Sequence, residues 1–237
     1  MNDQHVSRSL VEILVATRQA ERDLFGSLDP ARRDSPLRDG DWSPKDHQAH
    51  LTAWKTRQAD RLAAARSGDE LPPAVPDTET DTVNAELRAT RADWTWEAIE
   101  NEADTVSRRL ADELAATGSD DLLANPHLVD GTFGNGAFHA QQHFSWLLAA
   151  DIGLDADRVL RFGDDIERMV RSSGLPDRDQ ATAIYNTACF MAVIGHPDQA
   201  RPRLRDAFAL RPELVEWAKQ DGDLVALRDE IAALAAQ

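Results

Sequence analysis

Apolar residues recur at every third or fourth position along most of the chain, and no segment alternates apolar and polar residues for long enough to predict a strand. Spacing of three and four places side chains on one face of an α-helix, whereas a half-buried strand needs a period of two. Val6, Leu10, Ile13 and Leu14 share such a face near the start of the chain. The periodicity therefore predicts an all-α protein.

Start and stop signals divide the first 150 residues into helices. The clearest start is at Ser43, which can cap a helix, with Pro44 at the first helical position and Asp46 three residues after the cap. Four long amphipathic helices joined by loops indicate a bundle whose interior can hold a site. We expect helices at about 3–26, 43–68, 82–91, 95–117 and 135–150.

Composition excludes several classes of protein. A formal net charge of −16 argues against sequence-independent binding to nucleic acid, which uses clustered Lys and Arg. No apolar run approaches the roughly 18 residues that span a bilayer, and the first residues lack the pattern of a secretory signal. A single cysteine leaves histidine and carboxylate as the ligands for any bound metal. We expect a cytoplasmic protein without a membrane or nucleic-acid partner.

The segment "GNGAFHAQQHFSWLL" places His139 and His143 four residues apart, so their side chains share a helix face. This spacing alone fits metal ligands and also fits core histidines that have found hydrogen bonds. His50 lies near the apolar stripe of the second helix, so all three side chains can project into one bundle interior. Three such ligands leave coordination positions open, as catalytic metal sites do, and neutral imidazoles suit zinc, nickel, iron or copper.

Three motifs carry a resemblance to a known family. "DWSPKDHQAHLTAW" resembles the second-helix signature of the DinB-like four-helix bundle superfamily, in particular its ClbS/DfsB-like branch. "VNAELRATRADWTWEAI" resembles the Asn-containing segment of that branch, and "GNGAFHAQQHFSWLL" resembles its last helix, with the pattern H-x-x-x-H. The resemblance covers about residues 1–152 and implies that His50, His139 and His143 bind a metal ion.

The same resemblance implies an activity. DinB-like proteins include transferases and isomerases that use low-molecular-weight thiols, and the ClbS-like members include a hydrolase that opens an electrophilic cyclopropane. For this chain it implies an enzyme with a divalent metal (Zn, Ni or Fe) that acts on a small-molecule electrophile, in detoxification or self-protection. Either hydrolysis or thiol transfer is open, because a metal with free positions can activate a bound water or a thiol cosubstrate. DinB-like bundles are often homodimers.

Five further residues are candidates for the surroundings of the ligands. His47 stands where the family pattern usually has an apolar residue, so it is a competing ligand, a partner of a ligand or a surface residue. Trp54 and Phe138 line a pocket or belong to the core. Asn84 matches a polar position of the resembled branch or serves as a cap, and Asp46 completes the set. The Pro-rich residues 71–77 form a pocket lid or only a connection.

The sequence pattern of residues 153–237 predicts a helical extension. Within it, residues 179–212 or thereabouts resemble one tetratricopeptide (TPR) helix pair with a Gly-His-Pro turn, followed by a closing helix. One such pair cannot bury both faces alone and needs a neighbour. This module favours an alternative function, in which a non-catalytic protein sequesters a small molecule in the bundle or recruits a protein partner through the TPR-like pair. Cys189, in the first helix of the pair, is predicted to be buried and inert.

Overall fold

A computed structural model describes residues 4–36, 42–118 and 124–236 of the chain. All regular secondary structure in these ranges is helical, without a strand, which confirms the all-α prediction. The chain divides into two compact units, one up to Gly136 and the other from Ala137 onward. Residues 37–41, part of the predicted loop after the first helix, lie outside the described residues.

The two units hold the helices as follows. The first contains α1 (Gln4–Gly26), α2 (Pro30–Arg33), α3 (Pro44–Ser67), α4 (Thr80–Ala89), α5 (Trp96–Ala116) and α6 (Pro126–Phe133). The second contains α7 (His139–Ala149), α8 (Ala156–Arg171), α9 (Asp177–Val193), α10 (Pro197–Leu210), α11 (Leu214–Ala218) and α12 (Ile231–Ala235). Short 3-10 segments lie at Asp77–Glu79 and Gly222–Glu230.

The core of the first unit forms where α5 packs against both α1 and α3. Its side chains come from the apolar positions that the periodicity picks out, including Leu10, Leu51, Leu62, Leu110 and Leu114, all at most 1% exposed. Burying each such side chain contributes about 1.5–3 kcal/mol before the conformational entropy cost is subtracted. The helical period of the sequence therefore accounts for the packing of this unit.

Helix α3 begins as its sequence predicts. The Ser43 hydroxyl accepts a hydrogen bond from the backbone N–H of Asp46, and the Asp46 carboxylate accepts one from the backbone N–H of Ser43. This reciprocal pair satisfies two backbone donors at the start of the helix. Gly68, in the left-handed conformation with φ +73°, ends the helix. The histidines of α3 are therefore fixed in register from the first turn.

A buried ion network crosses the core of the first unit. The Lys55 ammonium pairs with Glu21, and the two side chains are 3% and 0% exposed. The Arg18 guanidinium lies 3.5 Å from the other Glu21 oxygen and also pairs with Glu100 and Asp104. Burial lowers the pKa of Lys55, while the Glu21 carboxylate opposes that shift. These charges are not part of the predicted site.

The helix that carries the predicted histidine pair begins nine residues earlier than expected, at Pro126 rather than about 135. It passes without a break from α6 through a π-helical turn at Gly134–Phe138 into α7. Two of its glycines lie where neighbouring side chains approach the helix closely, and they do not end the helix. A Cβ at Gly131 would lie 2.5 Å from Gln58 Oε1, and one at Gly136 would lie 2.2 Å from Leu14 Cδ2. Close packing of neighbouring helices explains why glycines occur inside this helix.

The second unit is centred on α9. Helix α10 packs against it, and so do α7, α8 and the 3-10 segment. Between α9 and α10 the chain turns at Gly195, which has φ +87°. The predicted helix pair is therefore present, while its likeness to a TPR motif and the domain limits of 1–152 and 153–237 remain predictions. The pair has neighbours within its own unit, since both α7 and α8 contact α9.

Candidate metal centre

His50 lies in the second turn of α3 and is 7% exposed. The Trp42 ring contacts it edge-on, with centroids 4.8 Å apart, and the Trp54 ring lies at 6.2 Å. Burial, and then the neighbouring His47, lower the pKa of His50 to about 3. The imidazole is therefore neutral at physiological pH, which is the form that binds a metal.

The aromatic residues around His50 are themselves held by polar contacts. The Trp54 indole N–H donates to the side-chain oxygen of Asn84 on α4, at 3.1 Å. Asn84 thus fixes the orientation of a ring beside His50 and does not cap a helix. Arg88, also on α4, lies over the Trp42 ring at 6.0 Å and pairs with Asp46 at 3.2 Å. Helix α4 therefore supports the residues that cover His50.

His139 and His143 occupy the first two turns of α7. Their Nε2 atoms lie 3.0 Å apart, and their rings meet edge-on with centroids at 4.6 Å. At this distance one ring donates a hydrogen bond to the other, or both nitrogens face one cation. His143 is 2% exposed, and the half-exposed Trp146 ring lies 5.0 Å from it.

His50, His139 and His143 form a group that can hold a metal ion. Each offers one ring nitrogen, and these three atoms lie within 4.8 Å of one another. His50 and His143 are buried and His139 is half-buried. Two nitrogens that share a zinc ion lie at most about 4.2 Å apart, since each Zn–N bond is about 2.1 Å. The 3.0 Å between the Nε2 atoms of His139 and His143 is within that limit, and the set of three imidazoles suits a divalent ion of the zinc type, with the ring of His50 closing on the ion where its nitrogen lies farther away.

The other predicted residues are placed as follows. His47 is buried and contacts the Trp42 ring at 5.6 Å, so it is not a surface residue. Asp46 caps α3 and pairs with Arg88, so its carboxylate has a structural part. Phe138 is 8% exposed at the end of the π-helical turn, directly before His139. The part that each plays for a ligand remains a prediction.

Cys189, Asp221 and Asp223 form a second group of potential ligands. Their contacts within the chain account for it: Asp221 accepts hydrogen bonds from the Tyr185 hydroxyl and from the backbone N–H of Asp223. Burial, followed by the nearby carboxylates, raises the pKa of the Cys189 thiol. The thiol is buried, as predicted, and burial favours its protonated form.

Sequence reasoning missed two features of the centre. Trp42 contacts both His47 and His50, and its one sequence signal is its position immediately before the cap residue Ser43, where apolar residues often pack against the first turns of a helix. The π-helical turn before His139 has as its signal the close glycines in "GNG". Such turns are rare in helices and frequent at functional sites.

Comparison of the chain with family models, with curated protein sequences and with solved structures found no match. Among the helices of the described residues, none combines the length and the apolar character needed to cross a bilayer.

Proposed function

We propose that this protein is a divalent-metal-dependent enzyme that acts on reactive small molecules, with His50, His139 and His143 as the metal ligands. The observation that carries the proposal is the convergence of three ring nitrogens within 4.8 Å. A divalent ion held by three imidazoles keeps open positions and makes a nucleophile available at neutral pH. Hydrolysis and transfer of a low-molecular-weight thiol are the two reactions that such a site supports.

The chain's own residues prepare the site for this chemistry. Burial keeps His50 neutral, so no proton has to leave it before an ion binds. The rings of Trp42 and Trp54 meet its ring edge-on, His50 is 7% exposed, and the hydrogen bond from Trp54 to Asn84 holds one of the two indoles in place. A site with apolar walls strengthens electrostatic interactions between an ion and a bound electrophile.

Metal content is the direct test. Protein purified without a His tag is analysed by elemental mass spectrometry beside a His50→Ala, His139→Ala, His143→Ala variant. A matched control is His127→Ala, since this histidine is exposed on α6. We expect close to one equivalent of metal in the wild type and the control, and loss of metal in a triple variant whose circular dichroism remains helical.

Two results would overturn the proposal. One is a wild type without metal even after incubation with zinc or nickel, and the other is a folded triple variant that keeps its metal. If metal binds, consumption of an electrophile with and without added thiol separates transferase from hydrolase. Consumption that needs the thiol indicates a transferase.

A binding protein is the second candidate function, and one observation favours it. Trp217, on α11 in the second unit, is 73% exposed, which is unusual for a large aromatic residue and typical of contact surfaces. In that case the chain recruits a protein partner and its histidines do no chemistry. The triple histidine variant keeps its full biological effect if this function is the right one, whereas Trp217→Ala removes it.

A further inference from the structure

A cavity of about 520 Å³, open to solvent on one side, lies between α4 and Trp42, which precedes α3. Its wall is formed by the Trp42 ring, by Asn84 and Arg88, and by alanines of α4. A volume of this size lies within the usual range for small-molecule pockets, about 300–1,000 Å³. The cavity belongs entirely to the first unit of the chain.

Two wall residues connect the cavity to His50. The Trp42 ring lines the cavity and contacts the His50 ring with centroids 4.8 Å apart. Asn84 lines it as well and accepts the hydrogen bond of Trp54, the other ring beside His50. A molecule in contact with Trp42 in the cavity would therefore touch a ring that itself contacts His50.

The charges of the wall indicate what such a molecule carries. Arg88 is the cation among the lining residues, and its guanidinium lies over Trp42 and pairs with Asp46 at 3.2 Å. A guanidinium carries five N–H donors, so an anion attached to a flat group on the indole can bind beside that ion pair. Arginine recognises carboxylates through paired N–H donors. Asp81 lines the cavity seven residues earlier on α4, about 10 Å along the helix axis, and repels a second anionic group at that end.

We propose that this cavity binds a small organic monoanion, with its flat apolar part on Trp42 and its carboxylate at Arg88. The small side chains of Ala85 and Ala89 leave the room for it on α4. That this molecule is the substrate of the neighbouring histidines rests on the proposed function. That the cavity binds it does not, because every residue named lies outside the metal ligands.

The test is an NMR titration of the metal-free protein in EDTA, with 2-naphthoate as the probe and 2-naphthamide as its neutral isostere. We expect saturable shifts of the Trp42 indole and of the α4 amides with naphthoate, and binding weaker by about tenfold or more with the amide. Arg88→Gln should lower the affinity for 2-naphthoate to that for 2-naphthamide. The control is Arg108→Gln, on an exposed position of α5, which should change nothing.

Arg88→Gln also removes the ion pair with Asp46, so a second variant guards against local unfolding. Ala89→Phe fills the cavity from an exposed helix position and leaves Arg88 in place. It should abolish binding while circular dichroism stays unchanged. The proposal is overturned if the wild type binds neither probe, if acid and amide bind equally, or if naphthoate still binds Ala89→Phe.

The metal measurement separates this proposal from the proposed function. Naphthoate binding in a protein that takes up no metal would uphold the cavity and reject the enzyme. Stoichiometric metal in a protein without naphthoate binding would do the reverse.

Discussion

The Nε2 atoms of His139 and His143 lie 3.0 Å apart on adjacent turns of α7. Two imidazoles at this distance cannot both carry a proton on the facing nitrogens, because a hydrogen bond there needs one donor and one acceptor. A shared cation removes that restriction, since both nitrogens then act as ligands. In the neutral pair one facing Nε2 carries a proton, and a change of that ring to the Nδ1–H tautomer would make both Nε2 atoms available as ligands.

Stability of the metal-free protein should fall as the pH is lowered from about 6.5, because His50 is buried as the neutral form. Its folded pKa of about 3 lies below the ordinary value of 6.5, so the unfolded chain binds more protons between these values. The free energy of unfolding then rises with pH across that window. At pH 5 the loss from His50 is about 2 kcal/mol relative to neutral pH.

Urea unfolding at pH 7 and pH 5 measures this effect, with EDTA present in both buffers. A His50→Phe variant has no proton to gain and should lose about 2 kcal/mol less than the wild type between the two pH values. An equal pH dependence in both proteins would show that His50 is not held neutral by burial.

Replacing either Lys55 or Glu21 alone should lower the free energy of unfolding strongly. Replacing both with apolar residues should change it little. Both side chains are almost fully buried, so removing Lys55 leaves the buried Glu21 carboxylate with the more distant Arg18 guanidinium, at 3.5 Å, as its cation. We expect Lys55→Met to lower the free energy of unfolding by about 3–5 kcal/mol, and the double variant with Glu21→Leu to recover most of that loss. A double-mutant cycle by urea unfolding checks this, and additive losses would contradict it.

The sequence predicts the helices well where periodicity and capping agree. Ser43 and Asp46 start α3 as expected, because a helix cap depends only on residues that are close together in the sequence. It also singles out His50, His139 and His143, which the structure brings together. The sequence does not predict that Trp42 contacts His50 or that Arg88 lies over Trp42, since these contacts depend on how the segment before α3 and helix α4 pack rather than on residue spacing.

The start of the last helix of the predicted bundle shows a second limit. Glycines usually weaken helices, so the segment before residue 135 looks like a loop. In the structure Gly131 and Gly136 lie where a side chain would collide with Gln58 and Leu14. Glycine occurs both where two helices pack closely and where the chain turns, so the sequence alone does not distinguish these two roles.

Gly136→Ala should destabilise the protein, because the added Cβ would lie 2.2 Å from Leu14 Cδ2 in a packed core. Overpacking of this kind costs about 1–3 kcal/mol. The matched control is Gly134→Ala in the same turn, which should be neutral or stabilising, because no described atom outside the neighbouring residues and backbone of its own helix lies within 4 Å of the added Cβ. Thermal unfolding of both variants decides, and equal melting temperatures would refute the close contact.

Cys189 should react slowly with alkylating reagents in the folded protein. Burial raises the pKa of its thiol, and the carboxylates of Asp221 and Asp223 raise it further, so little of the reactive thiolate is present at pH 8. We expect iodoacetamide to modify the native protein far more slowly than the urea-unfolded chain. Asp221→Asn removes one of the charges and should speed the native reaction moderately. Rapid modification of the native wild type, at the rate of the unfolded chain, would show that the thiol is neither buried nor held protonated.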